Sequence, residues 1–331
     1  VLCGATAAFA YTAGWISPDR LSHEKVLAGL SPPGGPAPGH RRNHAKGICF
    51  TGTFEANGAG TALSRASLLS TGSYPVIGRF NLGTADISEP DAKPRARGLS
   101  LQILGPDGSE WRTAMITAPF FPVSTPEAFY ALLQASRSKE PGAMRAFAAA
   151  HPEIARFGAW AASAPWTGSY AEERYNSLNA FIFTDAQGQD HAVRWSMRPQ
   201  AQPVPVPPDQ LATRPPDFLD EEIKARLAAG PLRWTMEVTV AEPGDPVADP
   251  SQVWPESRRT VDVATLTIQA LQDEADGPCR DVNYDPTVLP RGMSVSIDPF
   301  PAARSSAYAL SYRRRAAEDA QYPRTTPGAH P

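Results

Sequence analysis

Proline crowds two stretches of this chain, and in the first, where glycine joins it, neither helix nor central strand is expected, because the ring removes a backbone donor and clashes with the preceding turn. The first, "SPPGGPAPGH" from Ser31 to His40, separates an N-terminal stretch from the rest of the chain. The second, "PVPVPPDQLATRPPDF", reads as a crossing loop. Regular structure is expected in the runs outside them. "YPVIGRFNLG" (Tyr74 to Gly83), "RGLSLQIL" (Arg97 to Leu104) and "EWRTAMIT" (Glu110 to Thr117) are short β-like runs, the last two joined by the turn signal "GPDG". More strands are expected at "NAFIFTD" (Asn179 to Asp185) and "HAVRWSMRP" (His191 to Pro199), joined by "AQGQ", and at the alternating "LRWTMEVTVAE". Helices are predicted at "TPEAFYALLQASRS", with Thr125 as N-cap and Pro126 at its first position, and at "LDEEIKARLAAG", which ends at Gly230. A last helix runs from Pro301 to about Gln321. Six to eight strands in two groups, with helices after each, define an α+β chain whose strands could close into a barrel.

The chain accordingly divides into residues 1–40, an apolar N-terminal segment and linker, and residues 41–331, the folded domain. With 331 residues and 42% hydrophobic content there is ample material for a core. "VLCGATAAFAYTAGW" is too short an apolar run to span a bilayer alone. It reads as the tail of an export signal or anchor, or as an apolar first helix; the export reading is favoured and implies a periplasmic location. A net charge of −3 gives no reason to expect nucleic acid or an anionic membrane as partner. The arginines do cluster, at Arg41 and Arg42, at Arg95 and Arg97, and at Arg313 to Arg315, as anion sites or solvated faces. Cys3, Cys49 and Cys279 cannot make a disulfide framework, and no cysteine or histidine group has zinc spacing. Phosphate-binding glycine patterns and the G-x-S-x-G elbow are absent.

Two local features carry chemistry. In "GHRRNHAKGICFTGTFEANG" (Gly39 to Gly58), Ile48, Phe50 and Phe54 fall at even spacing, so His44 stands at or just before a strand. Alone, it is as well read as a structural histidine satisfied by a neighbour. In "RSSAY", Arg304 and Tyr308 lie four residues apart on one helical face. A guanidinium beside a phenol favours the phenolate, and a phenolate is a ligand for ferric iron; spacing alone equally allows an exposed Arg and a core Tyr.

Three stretches together resemble the haem catalases. "RNHAKGICFTGTFE" is similar to the start of that family's first barrel strand, "ADPSQVWP" to its D-P-T-x-x-W-P stretch, and "YDPTVLPRGMSVSIDPFPAARSSAY" to its D-P-x-x-x-P-x-G-I run leading into R-x-x-x-Y. They recur in family order over about 270 residues, and the likeness is to the short catalase-related peroxidases, which keep barrel and haem site without the long N-terminal arm and C-terminal domain. The resemblance implies a closed antiparallel β-barrel of about eight strands with flanking helices, and haem, of the b type, as cofactor. It makes Tyr308 the axial iron ligand, Arg304 the arginine that keeps it ionised, His44 the distal base, and Arg41, Arg79 and Arg315 the partners of the haem propionates. Arg42, Arg95, Arg97, Arg313 and Arg314 are left as surface charge.

Three positions depart from the family pattern. Asn81 replaces the serine after R-F, Asn43 replaces the usual valine before the histidine, and Thr117, aligned on Pro119 in "MITAPFFP", stands where catalases carry a distal asparagine. A hydroxyl has shorter reach than an amide. The expected activity is therefore peroxidase, reducing hydrogen peroxide or organic hydroperoxides with small organic donors, with slow catalase activity. The alternatives are a specialised fatty-acid or organic hydroperoxide enzyme, a haem sensor or carrier, and a barrel holding an apolar ligand. No stable membrane insertion of the domain is expected; homo-oligomers are open, from monomer to tetramer.

Overall fold

Alternation of buried and cavity-facing residues on the strands sets both the core and the site. In the computed structural model, which describes residues 21–325, helix α1 (His23–Leu30) precedes the first strand, β1 (Gly47–Ala56), which buries Ile48, Phe50 and Phe54 completely. Then come β2 (Gly72–Leu82), β3 (Arg97–Leu104) and β4 (Glu110–Ile116), an antiparallel meander with unbroken register. Helices α2 (Pro126–Arg137), α3 (Ala143–Ala150) and α4 (Ile154–Ser163) lead to β5 (Tyr175–Asn176), β6 (Phe181–Thr184) and β7 (Asp190–Pro199). Inside the second proline-rich stretch, read from sequence as a loop, a short helix α5 (Pro208–Ala212) forms, since proline is tolerated in a first turn; beyond it lie α6 (Phe218–Ala229), β8 (Leu232–Val240), β9 (Thr260–Asp273), β10 (Met293–Val295) and α7 (Phe300–Ala317).

Eight strands close a ring in the order β1, β2, β3, β4, β5, β7, β8, β9, with β9 pairing back on β1; β6 continues β5 along β7, and β10 pairs with β6. The fold is thus the closed antiparallel barrel with flanking helices, α+β, that the sequence leads one to expect. Its interior is packed, not hollow. Trp111, Trp195, Phe183 and Phe181 interlock edge-on and stacked, and Phe80 stacks on Tyr170 at 5.1 Å between ring centroids. Such rings each remove large apolar areas from water, so the core dominates stability.

Several expectations need correction. The longest strand, β9, was not foreseen, nor were α3 and α4. Ahead of the Ser31–His40 linker, Leu27 of α1 is buried, and α1 packs on α7 and α2. Cys49 and Cys279 form a disulfide joining β1 to a one-turn 3-10 segment (Pro278–Asp281), across 230 residues of sequence. Arg42 and Arg97 are buried, not surface charge: Arg97 donates to Thr167, Ser169 and Glu173. Arg95 lies half-buried between the rings of Trp160 and Trp166. The apolar residues 1–20 lie outside the described residues. Among the described residues, no helix is long and apolar enough to cross a membrane.

Candidate active site

Residues two apart on a strand share a face, and residues paired across antiparallel strands share it too. On β2 the core takes Phe80 and Leu82, which leaves Arg79 and Asn81 on the outer face. The pairing Gly47, Asn81, Gly98, Ile116 makes one outer row across four strands, and Cys49, Arg79, Ser100, Ala114 makes the next. Helix α7 lies over these rows. Between helix and barrel is a cavity of about 1400 Å³, its open mouth included, bordered also by α1 and α2.

Two glycines make the rows possible. A Cβ on Gly98 would stand 2.1 Å from Oδ1 of Asn81, and one on Gly47 would stand 2.2 Å from the Phe80 carbonyl oxygen and 2.8 Å from the guanidinium carbon of Arg79. The glycine of "HAKG" is thus needed first for the close approach of the β2 backbone and then for that of Arg79.

His44 enters the cavity from the loop before β1. Its φ of +52° is uncommon for a residue with a side chain, and Arg79 fixes the turn by donating from Nη1 to the His44 carbonyl at 2.8 Å. Nδ1 lies 2.7 Å from Oδ1 of Asn81. That oxygen only accepts, so Nδ1 carries the proton and Nε2 presents a lone pair. The residue is half-buried and borders the cavity. Burial pushes the imidazole down to about 4, against the Asn81 hydrogen bond and with help from the nearby positive charges of Arg79, Arg304 and Arg41. The histidine is therefore neutral at neutral pH.

On the α7 side, Tyr308 borders the same cavity. Nη2 of Arg304 lies 3.2 Å from its phenol oxygen and donates to the Ala114 carbonyl at 3.0 Å. Nη1 of Arg304 donates to Oδ1 of Asn179 at 2.7 Å, and Asn179 donates to buried Asp298 at 2.8 Å. This chain of partners fixes the guanidinium against the phenol. Burial leaves the Asp298 carboxyl above its ordinary range despite the Asn179 bond. Neither Asn179 nor Asp298 was singled out from sequence, because they are 119 residues apart and nothing local links them.

At one edge of the cavity three arginines meet one carboxylate. Glu274 pairs with both Arg41 and Arg79; burial would raise its carboxyl, but the two guanidiniums hold it below the usual range. Arg41 also donates to the carbonyls of Cys279 and Val282, at 2.8 and 3.0 Å, and Arg315 donates to those of Arg280 and Val282. Burial, then repulsion from Arg41, pushes Arg315 down to about 9. The disulfide anchors the loop that supplies these carbonyls.

The structure thus gathers His44, Asn81, Arg41, Arg79, Arg304, Tyr308 and Arg315 around one cavity, with Asn43 on its wall. Thr117 is not brought there. It comes directly after Ile116 and so faces the other way, its hydroxyl accepting the Arg97 backbone N–H at 3.2 Å. Ile116 lines the cavity in its place.

A neutral imidazole and a phenol held by a guanidinium thus border one cavity. The profile of the Catalase family matches residues 38–325, so the chain belongs to that family. It is 35% identical over 317 residues to a catalase-related peroxidase of Synechococcus elongatus, covering 94% of this chain and 91% of that protein. It is 32% identical over 306 residues to a catalase-related peroxidase of Mycolicibacterium paratuberculosis, covering 90% and 96%. The crystal structure of a fungal catalase superposes on 88% of the chain with a TM-score of 0.75 at 17% identity; this chain spans 62% of that catalase's length. The protein is an oxidoreductase that acts on peroxide, in a family that binds haem.

Proposed function

We propose that the protein is a haem-dependent peroxidase that reduces hydrogen peroxide or organic hydroperoxides with small organic donors, and dismutes hydrogen peroxide slowly. The observation that carries the reading is that His44 and Tyr308 border one cavity whose edge is cationic. The residues fit a haem. Arg41, Arg79 and Arg315 carry three positive charges against the single carboxylate of Glu274, an excess suited to propionates and to bidentate recognition. The phenol oxygen of Tyr308 has the guanidinium of Arg304 where negative charge would stand on an iron-bound oxygen.

When bound, haem supplies the iron at which peroxide is held and its O–O bond cleaved. The chain's own part is the proton. Nε2 of neutral His44 accepts one from the first peroxide oxygen and returns it to the other, which leaves as water; Asn81 holds the ring in the tautomer that can do so. The apolar wall of Val26, Leu27, Ile116 and Phe129 suits organic hydroperoxides as well as hydrogen peroxide, and Ile116 offers no hydrogen bond to a second peroxide. Export to an oxidising compartment, the periplasm, belongs to the same reading, and the Cys49–Cys279 bond supports it.

The test is the absorption spectrum of protein prepared with haem, for the parent chain and Tyr308→Phe, and then oxygen evolution against dye oxidation under peroxide. A haem spectrum in the parent, lost for the most part in the variant, is expected, with dye oxidation the faster reaction. A parent that stays colourless overturns the cofactor, and a variant with full haem content overturns the axial ligand.

A further inference from the structure

Among the described arginines that line the cavity, Arg42 is the one that these roles leave unused. It is only 3% exposed, and a buried guanidinium is retained where its donors are satisfied. Nη1 donates to the His40 carbonyl at 2.9 Å and Nη2 to Glu318, which also accepts the Gly39 N–H at 2.9 Å. Among the described residues, the Nε–H is buried with no hydrogen-bond partner. Arg42 borders the same cavity as Arg41, Arg79 and Arg315, and its backbone N–H donates to Ser311, one turn before Arg315 on α7.

Beside it, Arg41 and Arg79 pair with Glu274 and Arg315 donates to carbonyls, so among the described residues these three guanidiniums carry an excess of two positive charges; the Arg42–Glu318 pair is neutral, and Arg42 would contribute a donor rather than net charge. A group bearing two carboxylates would neutralise that excess. We propose that Arg42 is a fourth guanidinium of the propionate-binding edge, its Nε–H kept for a carboxylate oxygen of haem. This rests on the haem reading and adds to it a residue that the motif match leaves aside. The competing role is a brace that ties Glu318 and the end of α7 to residues 39–42, which would make Arg42 indifferent to the cofactor's carboxylates.

Haem and haem dimethyl ester, whose propionates carry no charge, separate the two. Apo protein is titrated with each porphyrin and binding is monitored by absorption, for the parent, Arg42→Met and Arg42→Lys. In Arg42→Met, haem affinity should fall about tenfold, the worth of one charge-assisted hydrogen bond, while the ester binds as to the parent. Arg42→Lys keeps the charge without the Nε donor and should fall between. Equal losses for both porphyrins, or none for either, overturn the assignment. Should the methionine variant not fold, the lysine variant decides: its preference for haem over the ester must drop below the parent's, and an unchanged preference overturns the proposal. A parent that binds neither porphyrin sinks the haem reading itself, whereas a parent and variants that bind haem equally sink only the role of Arg42.

Discussion

His44 owes its chemistry to a single neighbour and to its burial. Because Asn81 accepts the Nδ1 hydrogen bond and burial holds the ring at about 4, the imidazole stays an acceptor at Nε2 until the pH is well below neutral. The peroxidase rate of the haem-loaded enzyme should hold from pH 7 to 5 and fall as pH drops through about 4. His44→Ala should be slower by about 10²–10⁴-fold, the usual worth of a positioned acid–base group, and should lack that acid limb; a limb that survived the substitution would assign the proton to another residue. Stability has its own sign. The folded value lies below the ordinary 6.5, so the contribution is complete above 6.5 and is lost as pH falls toward 4, which denaturant melts would register. Ile116 gives a second prediction. Ile116→Asn should raise oxygen evolution relative to dye oxidation, and Thr117→Asn should not; the opposite result would return the position to Thr117. His44, Arg304 and Tyr308 were legible because each stands in a short recognisable stretch. The facing of Ile116 and Thr117 was not, since a shift of one residue along a strand exchanges the two faces. Arg42 and Arg97 look like solvated charge in sequence, and only partners far along the chain, 276 residues away for the Arg42–Glu318 pair, show otherwise.

At the level of elements, the outer rows of the barrel depend on what is missing as much as on what is present. Gly98→Ala would place a methyl group where the Asn81 amide now sits. The expected result is a destabilisation of about 1–3 kcal/mol, as for other overpacked sites, together with a slower peroxide reaction because Asn81 no longer seats His44. Denaturant melts and stopped-flow mixing measure the two; an unchanged reaction rate in a destabilised variant would show that Asn81 does not position the histidine. Strands β2 to β4, β7 and β8 were legible from alternation, and α2 from its cap, where Thr125 accepts the Ala128 N–H at 3.1 Å as expected. Strand β9 escaped because much of it is exposed, so its pattern is broken along its length. Helices α3 and α4 escaped for another reason: they are short, eight and ten residues, bury only Phe147 between them, and have no side-chain N-cap of the kind that marks α2.

For the whole molecule, closure of the ring brings β1 and β9 together and sets the two ends of the domain side by side. The barrel class was legible from strand number and motif order; the cross-link was not, because two cysteines far apart in sequence carry no sign of being neighbours. Replacing Cys49 and Cys279 together by alanine should cost about 2–5 kcal/mol and should weaken haem retention, since the loop that anchors Arg41 and Arg315 is released. Equal haem retention in parent and double variant would reduce the bond to a purely structural tie. The bond also governs what cleavage can do. Residues 201–210 are largely exposed and lie between the two cysteines in sequence, so a protease that nicks them cuts the backbone without parting the pieces. Digested protein should migrate as one species on a denaturing gel until a thiol is added, and as two fragments afterwards.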